Sequence, residues 1–440
     1  MPLPIWKNCE SGFEADIREL ERRRLAGQGL GAAGSESVRR SVEEIIEAVR
    51  ARGDDAVLEY TERFDKCRLT AARMRVSDDE IEEAVRAVPA ELLDAFNAAA
   101  GRIRRFQEAV LLRDPRPLRD GGRRLALRYR PVASAGICVP GATASLASSV
   151  LMSVVPAVVA GVQRIVMVTP PRSDGSVSAD RLAAARVAGA GEVYRVGGVQ
   201  AVAALAFGTQ SIPRVDFIAG PGNLYVTAAK KAIFGQVGID MLAGPSEIVV
   251  IADGRARPEW AAAEMLSQAE HAGGSATLLT SDEKLAEAVA RAVEEQLAAL
   301  PGAAELRRGL AELSAIVVTR TLQECVELAD RIAPEHLVIM TEDPEAVCAK
   351  VQSAGAIFLG DFSPVAAGDY VAGPSHCLPT GRTARFASGL TANTFLRSSS
   401  VIRYDRKSLR QDAEVIARIA EAEGLKAHKR SVQRRLKDKQ

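Results

Sequence analysis

Four histidines are spread over 440 residues, and each stands beside another side chain capable of chemistry. His271 closes Gln268-Ala-Glu-His271 in a helix-like run from Pro258 to Ala272. Gln268 and His271, three apart, project from one face of such a helix and can grip a single ion. His336 follows Glu335 in Ala333-Pro-Glu-His-Leu337, just ahead of a strand-like run. A neutral imidazole takes up a proton near pH 7, and a carboxylate beside it can steer a water. His376 comes seven residues after Asp369 in the glycine-rich stretch from Gly368 to His376. His428 follows Glu423 by five, on a different helix face unless Gly424 breaks the helix. Singly, each pattern also occurs in ordinary packed or surface histidines, and spacing alone does not bring them together.

Two glycine-rich turns are candidates for a ligand. Gly197-Gly-Val-Gln200 follows the strand-like Val193-Tyr-Arg-Val196, and Ala219-Gly-Pro-Gly-Asn223 follows Val215-Asp-Phe-Ile218 and opens a helix. Both put glycine where backbone can approach a nucleotide at the carboxyl end of a parallel strand. Neither is a G-x-G-x-x-G fingerprint, and no acidic residue for a ribose is identifiable. A tight strand-to-helix turn with no ligand accounts for them equally well.

The elements that must position these residues alternate. Residues 1 to about 130 read as helical, with amphipathic runs such as Ser41 to Arg52 and Asp78 to Val88. From 131 to 242, β-branched runs such as Arg164 to Thr169 alternate with helices at 178–189 and 223–233. From 243 to 389 the alternation repeats with Glu247 to Ala252, Ala276 to Thr280, Ala315 to Thr319, Leu337 to Met340 and Ala356 to Leu359. Strands separated by helices of this length predict an α/β fold with two Rossmann-like parallel sheets. A polar helical tail follows residue 390. The apolar stretch Ala144 to Val162 is rich in serine and carries Pro156, so it reads as a buried helix rather than a membrane span.

Bulk properties narrow the function. Lys plus Arg (57) nearly cancels Asp plus Glu (56), which argues against nucleic acid as the main partner and for a small molecule. The six cysteines (Cys9, Cys67, Cys138, Cys325, Cys348, Cys377) form no C-x-x-C pair, so neither a disulfide framework nor a cysteine zinc knuckle is expected. Met1 to Glu10 has no apolar run of signal-peptide type, and a cytoplasmic location is expected.

Gly244-Pro-Ser-Glu247, Ser267-Gln-Ala-Glu-His271, Ala333-Pro-Glu-His336, Ala367-Gly-Asp-Tyr370, His376-Cys-Leu-Pro-Thr380, Thr383-Ala-Arg-Phe386 and the run from Glu423 to His428 together resemble the histidinol dehydrogenase family, in the family's order, from about residue 30 to the C-terminus. The resemblance implies oxidation of L-histidinol to L-histidine through histidinal, with NAD as hydride acceptor and one Zn2+ per subunit. It implies Gln268, His271, Asp369 and His428 as zinc ligands, which with Ser246, His376 and Glu423 also meet the substrate. It makes Glu335 and His336 the catalytic acid/base pair, and puts Gln200, Asn223 and Cys138 at the cofactor. His336 would take the hydroxyl proton as the first hydride leaves, and Glu335 would activate water on the aldehyde. By the same resemblance, residues 1–130 pack on the second α/β domain, 131–242 contact NAD, and 243–389 carry zinc and catalysis. The tail 390–440 completes the neighbour's site in a homodimer.

Three positions depart from the family pattern: Cys138, where Tyr is common and offers a ring able to stack on the cofactor, and Ala142 and Arg382, where Gly is frequent. Arg382 keeps open a related enzyme acting on a sulfonated diol. The basic end of the tail, Lys426 to Gln440, keeps open a non-catalytic protein that binds metal or nucleic acid.

Overall fold

A computed structural model describes residues 3–27, 36–141, 146–271 and 273–437. It divides into two compact units, one of residues 1–110 with 133–395 and one of 111–132 with 396–440.

The first unit holds two parallel sheets. The β-branched runs of residues 134–239 form a five-stranded sheet in the spatial order Glu192–Arg195, Arg164–Thr169, Ser134–Cys138, Phe217–Ala219, Gly238–Ile239. Counted along the chain this is 3-2-1-4-5, the doubly wound order, whose switch point lies between its first and fourth strands. Helices Ala147–Ala160, Ala179–Ala188, Gly198–Phe207 and Leu224–Ile233 make the crossovers. The first of these is apolar all round and correspondingly buried, with Val150, Met152 and Val154 fully enclosed. Ala144, where the apolar stretch begins, lies outside the described residues. No described helix is long and apolar enough to cross a membrane.

The second sheet repeats that order and adds one strand: Ile5–Lys7, Ala315–Val318, Ser275–Thr280, Glu247–Ala252, His336–Met340, Ala356–Leu359, all parallel. The added strand corrects the reading of the N-terminus as wholly helical. Ile5, Trp6 and Lys7 pair with Ile316, Val317 and Val318, an open sheet edge supplying bonds to a run too short to show a period of its own.

The N-terminal helices also depart from expectation. Helix Phe13–Gly27 packs with the second sheet's layer, but Glu36–Arg52, Asp78–Ala87 and Ala90–Val110 pack on helices of the first. The reason is complementary relief. Val42, Ile46 and Val49 line one face of Glu36–Arg52 and share a core with the small-residue helix Gly198–Phe207.

In the second unit, Leu118–Asp120 and Arg123–Pro131 form a hairpin, and Leu396–Arg403 pairs antiparallel along the longer strand. Helices Arg406–Ala422 and Lys426–Lys437 follow. Residues up to 130 and beyond 390 were expected to be helical, so this sheet is a correction. Its strands are arginine- and serine-rich and half exposed, without a clean apolar face to mark them. The hairpin is pinned to the first of its helices: Arg123 donates to both oxygens of Asp412 at 2.6 and 2.9 Å, and Gly122 N donates to Ser408 Oγ at 3.0 Å.

Candidate active site

The two sheets are joined by residues 240–246. The chain leaves the first sheet at the carboxyl end of Gly238–Ile239 and enters the second at the amino end of Glu247–Ala252. Chemistry-bearing residues collect at those two ends.

At the carboxyl ends of the first sheet lies a cleft of about 920 Å³ over the switch point. Its wall includes Cys138, Gly197, Gly198, Gln200, Gly222 and Asn223, so all three residues expected at the cofactor line it. Gln200 is 1% exposed and neither its amide oxygen nor its amide nitrogen has a partner, a costly state that an incoming polar ligand relieves. Asn223 Oδ1 accepts from Tyr225 N at 3.0 Å and Val226 N at 3.1 Å, so its side chain is first of all the N-cap of helix Leu224–Ile233. Burial pushes the Cys138 thiol up to about 12, leaving it a neutral wall atom. The opposite wall, with Glu44, Tyr60, Phe64 and Asp65, comes from the N-terminal helices. Nothing in their spacing marked these residues, because only tertiary packing brings them to the cleft.

At the amino ends of the second sheet stand Ser246, Glu335 and His336. His336 opens its strand and pairs in register with Ile248 and Ala356. These side chains stand at the start of the sheet's first and fourth strands, the switch-point pair, but at the end opposite to the one where ligands usually bind. Glu335 Oε2 accepts from Glu247 N at 3.1 Å and lies 2.5 Å from Ser246 Oγ. Burial nevertheless lifts its carboxyl to about 8. Ser246 Oγ is also 2.7 Å from Gln268 Oε1. One hydroxyl proton serves one acceptor at a time, so when it goes to Glu335 the buried amide oxygen of Gln268 is open to a cation.

His336 is 3% exposed, and neither ring nitrogen has a hydrogen-bond partner. Burial lowers it to about 3, so the ring is unprotonated at neutral pH. Its Nε2 lies 3.8 Å from Asp369 Oδ1, and burial raises Asp369 to about 6. Asp369 rides on the short helix Val365–Tyr370, whose first N–H is held by the buried Glu264 at 3.1 Å. His376 bridges Asp369 and the first sheet's helix layer. Its Nδ1 is 3.1 Å from the Asp369 carbonyl and its Nε2 is 3.2 Å from Ser149 Oγ. Neither Glu264 nor Ser149 was legible, since their partners lie about a hundred residues or more away in sequence.

The placement of His271 corrects one expectation. The helix Pro258–Ala269 stops short of it, and a turn follows, with His271 N donating to Gln268 O and Gly274 N to His271 O. Gln268 is buried and His271 exposed, so they do not share a helix face. The run's expected end, Ala272, lies outside the described residues, as does Ala142. The turn still leaves His271 an electrostatic neighbour of His336, Asp369 and His376. Arg382, at φ +68°, donates to Glu21 Oε2 at 3.4 Å and is thereby engaged within the fold.

The remaining expected residues belong to the second unit. Glu423 caps helix Arg406–Ala422, Gly424 at φ +72° breaks it, and His428 lies in the first turn of the next helix. Both side chains are exposed. Among the described residues, no group of three His, Cys, Asp or Glu closes on one point.

A nucleotide-sized cleft over one switch point, joined by a short linker to a dry, unprotonated histidine on the other sheet, is the equipment of a dinucleotide-dependent oxidoreductase. The comparisons carry this further. The family model for histidinol dehydrogenase matches residues 31–436. The histidinol dehydrogenase of Syntrophotalea carbinolica is 49% identical over 414 residues, covering 93% of this chain and 95% of its own. That of Synechococcus sp. is 48% identical over 396 residues, covering 90% and 91%. The crystal structure of histidinol dehydrogenase from Elizabethkingia anophelis superposes with a TM-score of 0.91 at 36% identity, covering 99% of this chain and 98% of that one. The chain belongs to the histidinol dehydrogenase family, and it is an NAD-linked oxidoreductase acting on a small molecule.

Proposed function

We propose that this chain oxidises L-histidinol to L-histidine in two NAD-linked steps at the Ser246–Glu335–His336 cluster, with a zinc ion held beside it. The observation that carries the reading is His336, buried with both ring nitrogens free and unprotonated at neutral pH, which is the state a general base must start from. His336 is placed to receive the hydroxyl proton of the alcohol, and NAD, which the cleft at Gln200 would hold, would supply the hydride acceptor. In its ionised form, favoured above its raised value of about 8, Glu335 then orients and deprotonates the water that hydrates the aldehyde, while Ser246 directs its one hydroxyl hydrogen to either Glu335 or Gln268. His336 returns its proton to the carbonyl oxygen as the water adds, and so is free to serve again as base in the second oxidation.

The donor set suits zinc. An amide oxygen left open (Gln268), a carboxylate raised by burial (Asp369) and an exposed imidazole (His271) are the borderline N and O ligands it prefers. When bound, it would supply a Lewis acid beside the cluster. His428 is the proposed fourth ligand and Glu423 a substrate contact, both from the partner chain of a homodimer. Apolar surface supports the dimer. Phe362 (89% exposed) and Phe386 (80%) stand uncovered on the first unit, and Ile402, Val415 and Ile419 on the second.

The substrate is tested directly. Purified protein with NAD is expected to form NADH with histidinol and none with dihydroxypropanesulfonate. The reverse order would reinstate the sulfonated-diol reading.

A further inference from the structure

Beneath the cofactor cleft lies an ion pair that the chemistry above does not use. Lys230 and Asp240, 3% and 1% exposed at their side chains, form a direct Nζ–Oδ1 contact. A wholly buried pair is poor evidence for stability alone, because desolvation offsets most of the attraction. What the pair holds is more informative. Gly220 N donates to Asp240 Oδ2 at 2.8 Å, and Lys230 Nζ donates to Gly220 O at 3.0 Å. Both backbone polar atoms of one glycine are thus gripped by one pair of opposite charges.

Gly220 opens the turn 220–223 that forms the cleft wall. It sits at φ +105°, and a β-carbon there would come 2.2 Å from the Cys138 carbonyl oxygen, so the turn crosses flat over the end of the sheet's first strand. The turn cannot be held by side-chain packing at that point, and the ion pair holds it from below.

The same pair anchors the linker. Asp240 is its first residue and also accepts from Met241 N at 2.6 Å. One helical turn before Lys230, Thr227 donates to Ala243 O at 2.8 Å, and the N–H of that same peptide bond, on Gly244, donates to Thr380 Oγ1 at 2.6 Å. Helix Leu224–Ile233 therefore grips the segment 240–246 twice on its way to Ser246.

We propose that Lys230 and Asp240 are positioning residues for the cofactor, setting the turn 220–223 in the cleft wall. Neither touches the reacting atoms. Their charge reaches both sites, acting on the buried thiols of Cys138 in the cleft and of Cys377 next to His376. The proposal rests on the NAD-linked reading.

The test is the double variant Lys230→Met with Asp240→Asn in the zinc-loaded full chain, which removes both charges and strands neither. Its KM for NAD is expected to rise at least tenfold, with kcat at saturating NAD and KM for histidinol within about threefold of the parent. NAD should also lose most of its ability to raise the melting temperature, while zinc content and the melting temperature without NAD change little. A KM for NAD within twofold of the parent, or an equal loss in kcat and both KM values, overturns the proposal. If the double variant does not fold, Lys230→Arg takes its place: it keeps the charge but its planar fork cannot set one nitrogen between Gly220 O and Asp240. A KM for NAD raised at least threefold is then expected, and an unchanged one overturns the proposal. A parent protein that reduces no NAD would instead mark failure of the underlying reading.

Discussion

Replacing His336 with Asn is expected to lower kcat for both oxidations by about 10²- to 10⁴-fold, the contribution of a positioned general base, while zinc content stays the same. The buried imidazole lies 6.0 Å from the Phe358 ring between ring centres, with Nδ1 3.6 Å from Glu335 Oε2, and neither nitrogen makes a full hydrogen bond. Asn fills most of that volume but cannot accept a proton. Glu335→Gln should act differently. It keeps the contacts to Ser246 and to Glu247 N but removes the carboxylate that activates water, so oxidation of supplied histidinal should suffer much more than the alcohol step. Measuring single-turnover rates from histidinol and from histidinal for each variant separates the roles. Equal losses on both substrates in both variants would contradict the division.

Activity regained by mixing two dead chains is the second large effect. His271→Ala and His428→Ala should each be inactive and zinc-poor if, as proposed, each strips one ligand from every site. If His428 completes its neighbour's site, a mixed dimer holds one site with both lesions and one with neither. Equal mixing with full subunit exchange should then restore about a quarter of the parent activity, half the dimers being mixed and half of their sites intact. If the tail serves its own chain, every site keeps a lesion and no activity returns. The mixing should be followed by tagged co-purification, so that silence is read only where exchange has occurred.

Much of the fold was legible because buried parallel strands announce themselves. Glu247-Ile-Val-Val-Ile-Ala252 is a continuous apolar run after its first residue, bounded by turn residues. Strands that lack such a core face were missed. Ile5–Lys7 is three residues long, and Arg123–Pro131 presents arginines on half-exposed faces where the only marker is alternation. The side of the molecule on which the N-terminal helices pack was not legible either, since amphipathicity names a buried face and not what it meets.

The site divides in the same way. Residue types revealed the histidines and their acidic neighbours; that they should converge was implied by the family resemblance alone, and the strand register sets only His336 in place, beside Ile248 and Ala356. Spacing misled at His271, where the three-residue interval to Gln268 suggested one helix face and the chain instead turns after Ala269. Supporting contacts such as Glu264 to Val365, Ser149 to His376 and Lys230 to Gly220 join parts of the chain that no periodicity relates.

The central claim is a four-electron oxidation completed at one site, and the NADH yield per histidinol tests it most directly. With limiting histidinol and excess NAD, the end point should be two NADH for each histidinol consumed, with histidine as the product and no free aldehyde trapped by semicarbazide. One NADH per histidinol, with aldehyde accumulating in the trap, would contradict it.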